Sequence, residues 1–390
     1  MKFTLISSCV ALAAMAMTVE AAPGAKKINI PLAKNNNYKP SAKRAIQKAL
    51  GKYHKHRLNA TNGTFADGVG SVPMTDYLYD VEYYGQVTVG TPGVKLNLDF
   101  DTGSSDLWFA STLCTGCGGT QTKYNPSKSS TYAADGRAWS ISYGDGSTAS
   151  GVLATDNVNL GGLLIKKQTI ELAKRESSSF SRGPNDGLLG LGFNTITTVR
   201  GIKTPVDNLI SQGLISKPIF GVYLGKQKNG GGGEYIFGGY DSSKFKGSLV
   251  TVPVDNSNGW YSITVKQATV GGSRVSGSFD GILDTGTTLL ILPSNVASSV
   301  ARAYGARDNG DGTYSISCNT SNFKPLVFSI GSSTFEVPVD SLIFEQEGST
   351  CIAGFGYADY DFAIIGDVFL KNNYVVFNQQ VPEVQIAPIA

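Results

Sequence analysis

One tripeptide occurs twice in this chain, as Asp101-Thr102-Gly103 and as Asp284-Thr285-Gly286. An apolar stretch precedes each copy, and two hydroxyl residues follow it, Ser104-Ser105 and Thr287-Thr288. Even with 47 glycines in 390 residues, composition predicts well under one copy by chance. A second repeat keeps step with the first. Gly187-Leu188-Leu189-Gly190 places its last glycine 89 residues after Asp101, and Ala363-Ile364-Ile365-Gly366 places its glycine 82 residues after Asp284. Two motifs repeated in phase imply a duplicated domain. A duplicated carboxylate implies one site shared between two similar lobes.

The ends of the chain differ from this body. Residues 1–21 have the form of a signal peptide: Lys2, an apolar run from Phe3 to Met17, then small residues at Val19 and Ala21. The run is too short to span a membrane, so the expected product is exported and extracellular, with no membrane partner. Residues 22–66 hold ten Lys or Arg and no acid, together with both histidines, His54 and His56. Ser41 followed by Ala42 to Tyr53 reads as a capped basic helix. Without residues 1–66 the chain keeps 22 of its 33 basic and 29 of its 30 acidic residues, a net charge of −7. A cationic leader over an anionic body fits a propeptide held by charge. The competing reading, a nucleic-acid-binding or disordered arm, sits poorly with export.

The remaining body, split by the repeat into 67–241 and 242–390, is large enough for two cores. It reads as mostly β. Short runs rich in Val, Ile, Tyr, Phe and Thr, such as Glu82 to Val89, Lys95 to Phe100, Ala138 to Tyr143 and Asn373 to Phe377, alternate with turn residues. Helical patterns are few: Pro205 to Gln212, Asn295 to Tyr304, and Asp367 to Asn372. Gly230 to Gly233 lacks the Lys-Ser/Thr and helix of a phosphate loop and reads as a hairpin tip. Trp139 to Tyr143, the turn Gly144-Asp145-Gly146-Ser147 and the return from Thr148 form a hairpin signal between the two motifs of the first half. Its position makes it a candidate lid. Four cysteines remain after Cys9 leaves with the signal. Of their three pairings, Cys114–Cys117 with Cys318–Cys351 puts one bridge in each half. A zinc or redox reading of Cys-x-x-Cys has little support in an exported chain with no histidine in its body.

That absence of histidine also narrows the chemistry. Ser-His, Cys-His and His-metal mechanisms lack a base or a ligand. Carboxylates are left as the acid/base groups. Two aspartates held together cannot both ionise easily, so one keeps a proton while the other stays charged. Such a pair can activate water and protonate a leaving group without a covalent intermediate or a cofactor. Gly103 and Gly286 permit close approach to the carboxylates and offer N–H donors, and Ser104 and Thr287 are placed to hydrogen-bond the outer oxygens. A structural Asx-turn explains one Asp-Thr-Gly copy. It does not explain two.

The two Asp-Thr-Gly copies, Tyr143-Gly144-Asp145-Gly146, Trp108 in Asp-Leu-Trp and both apolar-apolar-Gly motifs resemble the pepsin family of aspartic endopeptidases, its fungal members most. The resemblance extends over nearly the whole chain. It implies a bilobal, mostly β fold with a cleft between the lobes, a monomer acting on polypeptides at acid pH and blocked by pepstatin. Asp101 and Asp284 would be the catalytic dyad. Tyr143 would lie on a flap with its hydroxyl on the Trp108 indole, and Gly286, Thr288, Gly144 and Asp145 would contact substrate backbone. Lys52-Tyr53 matches the inhibitory Lys-Tyr of the family's propeptides, making the chain's own leader a partner. Asp145 is shared with fungal enzymes that accept Lys as well as apolar residues at the scissile bond. Asn319-Thr320-Ser321 is a glycosylation sequon. Two other classes remain to be separated: a silent relative that binds proteins with the same cleft, and a two-carboxylate glycosidase, which leaves the duplication and leader unexplained.

Overall fold

The computed structural model describes residues 41–52, 69–77, 80, 82–143 and 147–390. The expected signal 1–21, most of the basic leader with Tyr53, and the flap tip Gly144-Asp145-Gly146 lie outside the described residues.

Residue patterning accounts for the local elements. Strand Glu82–Val89 alternates half-buried and buried positions along its whole length, with Tyr83, Val87 and Val89 inward, as a period of two requires when one face meets the core. Helix Pro205–Ser211 starts at a capping box. The Thr204 hydroxyl accepts from the Asp207 N–H, and the Asp207 carboxylate accepts from the Thr204 N–H. Helix Ser294–Tyr304 buries Val296, Ala297, Val300, Ala301 and Tyr304, one helical stripe, and ends at Gly305 in the left-handed conformation. Among the described residues no helix is long and apolar enough to cross a membrane.

The strands form two sheets, of 13 and 11 strands. The larger carries the strands of the first half and also Val250–Pro253, Asn373–Asn378 and Glu383–Pro388 from the second. The end of the chain therefore crosses back: Asn373–Asn378 pairs antiparallel with Ile219–Leu224. Buried aromatics close the junction. Phe220 stacks on Phe377 at 4.9 Å, Tyr261 meets Phe377 edge-on at 4.8 Å, and the Tyr261 hydroxyl donates to the Leu191 carbonyl. Edge-to-face and offset pairs of this kind add to simple area burial.

The sequence repeat becomes a structural one. Strand Val94–Asp101 lies parallel to Gly187–Gly190, which runs antiparallel to Leu107–Ala110. In the other half, Phe279–Leu283 lies parallel to Phe362–Ile365, which runs antiparallel to Leu290–Pro293. Asp101 pairs with Gly190, and Leu283 with Ile365, which brings Asp284 level with Gly366. The apolar pairs Leu188-Leu189 and Ile364-Ile365 are buried. The glycines let the chain thread beneath the tripeptides: a Cβ on Gly366 would stand 2.1 Å from the Thr287 carbonyl oxygen.

Candidate active site

The first tripeptide begins at the last residue of strand Val94–Asp101, the second follows strand Phe279–Leu283, and the two are hydrogen-bonded to each other. Each carboxylate is held the same way. Asp101 Oδ1 accepts from Gly103 N at 2.9 Å and its Oδ2 from the Ser104 hydroxyl; Asp284 Oδ1 accepts from Gly286 N at 3.0 Å and its Oδ2 from the Thr287 hydroxyl. The outer oxygens are thus fixed by hydroxyls while the inner ones face each other. Gly286 is needed for that approach, since a Cβ there would lie 2.4 Å from Asp101 Oδ1.

The two threonines between Asp and Gly, to which the sequence alone assigns no role, cross-link the halves. Thr102 Oγ1 donates to the Leu283 carbonyl at 2.8 Å, and Thr285 Oγ1 to the Phe100 carbonyl at 2.7 Å. Each hydroxyl then accepts from the other threonine's N–H, both at 3.0 Å. Four hydrogen bonds made by two buried side chains hold the carboxylates in register. The visible signal is the identity of the residue at the same place in both copies.

The described part of the basic segment 22–66 ends in this site. Helix Ala42–Lys52 packs Ala42, Ile46 and Ala49 inward, and Ile46 closes on Gly312 and Gly356 of the second half. Its last residue, Lys52, donates to both inner oxygens, to Asp101 Oδ1 and at 2.7 Å to Asp284 Oδ1. One turn earlier Lys48 Nζ lies 3.4 Å from Asp99 Oδ2.

Burial sets the electrostatics. It pushes the Asp101 carboxyl up to about 6; the Lys52 ammonium pulls the other way, while Asp284 and Asp99 add to the rise. Asp99 is likewise raised to about 6 by burial, opposed by Lys48 and helped by Glu82. Burial also drives Asp367, just after the second apolar-apolar-Gly, well above the carboxylate range, and Asp99 and Asp284 reinforce it. Burial disfavours the charge on Lys52, but Asp101 and Asp284 outweigh it and hold the ammonium above its usual pKa. Carboxyls packed this closely, even with Lys48 and Lys52 among them, do not all ionise easily.

Of the other expected residues, Tyr143 is buried with its hydroxyl accepting from Trp108 Nε1 at 2.9 Å, and Phe180 meets both rings edge-on. The Thr288 carbonyl accepts from Val368 N. Cys114 is bonded to Cys117 and Cys318 to Cys351. Asn319 is exposed. Tyr53, Gly144 and Asp145 lie outside the described residues.

Residues 82–389 match the family model for eukaryotic aspartyl proteases. Over the full length of both chains, the sequence is 78% identical to rhizopuspepsin-2 of Rhizopus niveus and 78% identical to rhizopuspepsin of Rhizopus chinensis. It is 39% identical to penicillopepsin-1 of Talaromyces stipitatus over 87% of each chain. With two aspartates converging between two duplicated β lobes, the chain belongs to the eukaryotic aspartyl protease family and is an aspartic endopeptidase.

Proposed function

We propose that this endopeptidase is exported behind residues 1–21, is held inactive by its basic leader, and cleaves proteins at acid pH with Asp101 and Asp284 as its catalytic pair. The observation that carries the reading is the convergence of both inner oxygens on one nitrogen, Lys52 Nζ. A water bound at that point would sit within hydrogen-bond reach of both carboxylates. The ionised carboxylate takes a proton from this water as its oxygen attacks the peptide carbonyl carbon, and the protonated carboxyl donates to the carbonyl oxygen. The carboxyl that took the water proton then passes it to the amide nitrogen as the C–N bond breaks, and a hydroxyl of the gem-diol returns its proton to the other carboxylate, restoring the starting pair. The raised Asp101 pKa supports a dyad that keeps one proton in weakly acid solution.

The same geometry supports the zymogen. Lys52 binds the ionised dyad and blocks it. Because the ammonium favours the charged carboxylates, leader binding weakens as pH falls through their pKa values and release follows. For specificity, the reading is a broad preference for apolar side chains beside the scissile bond, with Lys also accepted through Asp145 at the flap tip. Asp145→Ser should weaken cleavage after Lys and spare cleavage after Phe; equal losses would overturn that role.

The test of the whole reading is hydrolysis of denatured haemoglobin near pH 3 and pH 7, with and without pepstatin, by the native chain and by Asp284→Asn. Acid-only, pepstatin-blocked activity that vanishes in the variant is expected. A folded, processed native protein with no activity would favour the silent binder. Activity surviving in the variant would refute the dyad.

A further inference from the structure

Lys52 of the leader helix reaches the dyad, and a second lysine of that helix faces the same strand. Lys48 and Lys52 are four residues apart, so their side chains leave the helix on one face about 6 Å apart along its axis. Asp99 and Asp101 are two residues apart in strand Val94–Asp101, on one face of the strand and about 6.6 Å apart. Helix and strand periods therefore match, and each lysine meets its own aspartate: Lys52 with Asp101, Lys48 with Asp99 at 3.4 Å. We propose that Lys48 is a second latch of the leader, which with Lys52 reads two acids of the cleft strand in register and holds the zymogen closed.

The surroundings fit a latch rather than an incidental contact. Asp99 is buried, with its side chain only 6% exposed, and among the described contacts its Oδ2 is met by Lys48. Glu82 on the neighbouring strand adds a second negative group facing Lys48, and Asp101 a third. Facing Asp99 are Lys48, Glu82 and Lys52, with Asp367 adding its own repulsion. Without Lys48 the acids Glu82, Asp99, Asp101 and Asp367 would be left around one cation of the leader, Lys52. The Lys48 side chain is 32% exposed against 4% for Lys52, which makes it the outer of the two contacts. By contrast Lys43, also on the leader helix, reaches Asp311 at 3.8 Å across an exposed surface; such a pair contributes little.

This inference rests on the zymogen reading above, and the test separates the two. Leader release from the full-length chain is followed by gel and by onset of proteolysis across an acid titration, for the native chain and for Lys48→Met, Lys48→Arg, Lys52→Met and Lys43→Met. Lys48→Met should convert at a higher pH, about tenfold faster at the native midpoint, as expected for losing a charge-assisted hydrogen bond. Lys48→Arg and Lys43→Met should follow the native chain. In an Asp99→Asn background the Lys48→Met effect should disappear, because the two share one contact. If Lys48→Met converts like the native chain while Lys52→Met is accelerated, the second latch is refuted and the zymogen stands. If the full-length chain is active with its leader attached, the zymogen reading itself fails. Should Lys48→Met not accumulate as folded protein, a peptide of residues 41–53 is assayed as an inhibitor of the native processed enzyme, with and without the Lys48→Met change. Equal inhibition by the two peptides refutes the latch; weaker inhibition by the changed peptide supports it.

Discussion

Replacing Thr285 with Val keeps the side chain's shape and removes its hydroxyl. In the structure that hydroxyl donates to the Phe100 carbonyl at 2.7 Å and accepts from Thr102 N at 3.0 Å. Phe100 O keeps a second donor, the Tyr235 hydroxyl at 3.3 Å, so it loses one bond without being orphaned. Thr102 N has no such reserve among the described contacts and becomes a buried, unpaired donor. The first loss is worth about 1 kcal/mol and the second about 1–3 kcal/mol, together roughly 2–4 kcal/mol. With a urea slope of about 3 kcal/mol/M for a chain of this size, the unfolding midpoint should fall by roughly 1 M. The measurement is urea unfolding of the full-length chain near neutral pH, with a gel of each sample to check that the chain stays intact. Thr285→Ser, which keeps the oxygen, should stay close to native. Thr102→Val should cost a similar amount through the Leu283 carbonyl and Thr285 N. The double variant should lose less than the sum, because the four bonds form one network across the two halves and losing either hydroxyl already loosens the register that the other needs. A Thr285→Val chain as stable as Thr285→Ser, or full additivity in the double variant, would refute the cross-link.

Three further outcomes are expected. Gly286→Ala would set a Cβ 2.4 Å from Asp101 Oδ1, so the carboxylates must part. Activity of the processed enzyme should fall on the order of a hundredfold while circular dichroism stays native. Tyr143→Phe strands the Trp108 indole N–H, and kcat/KM should drop about tenfold against a fixed peptide. For pH, Asp76 is pushed up to about 8 by burial, Asp99 and Asp101 to about 6, and Glu171, buried beside Asp106, well above the carboxylate range. A carboxyl whose folded pKa is raised contributes stability that is full below its unfolded value and is lost as pH rises through the folded one. Melting temperature should therefore fall between about pH 4 and pH 8, most steeply below about pH 6 where Asp76, Asp99 and Asp101 all contribute, and Glu171→Gln should flatten that fall; a curve that rises across this window would contradict the burial argument.

The parts of the fold that were legible in the sequence are those whose information is contiguous. Asp-Thr-Gly carries its own hydrogen-bond donors within three residues, at Gly103, Ser104, Gly286 and Thr287, so the environment of each carboxylate could be read from one short stretch. The alternation of Glu82 to Val89 is local in the same sense. What escaped was information held between stretches. Thr102 and Thr285 find their partners 181 to 185 residues away, and nothing beside either says that the other half offers it a carbonyl. The crossing of Asn373–Asn378 into the first half's sheet is invisible for a related reason. Alternation tells a strand which face is apolar but not which sheet edge it joins, and Val375 and Phe377 would bury as well against either lobe. Lys48 lies between these cases. Its spacing from Lys52 and the spacing of Asp99 from Asp101 are both plain in the sequence, but only as two periods, 3.6 and 2, that have no reason to be compared until a helix is known to lie on that strand. Long-range pairing thus becomes readable where two local periods coincide, and in this chain they coincide where helix Ala42–Lys52 lies over Asp99 and Asp101.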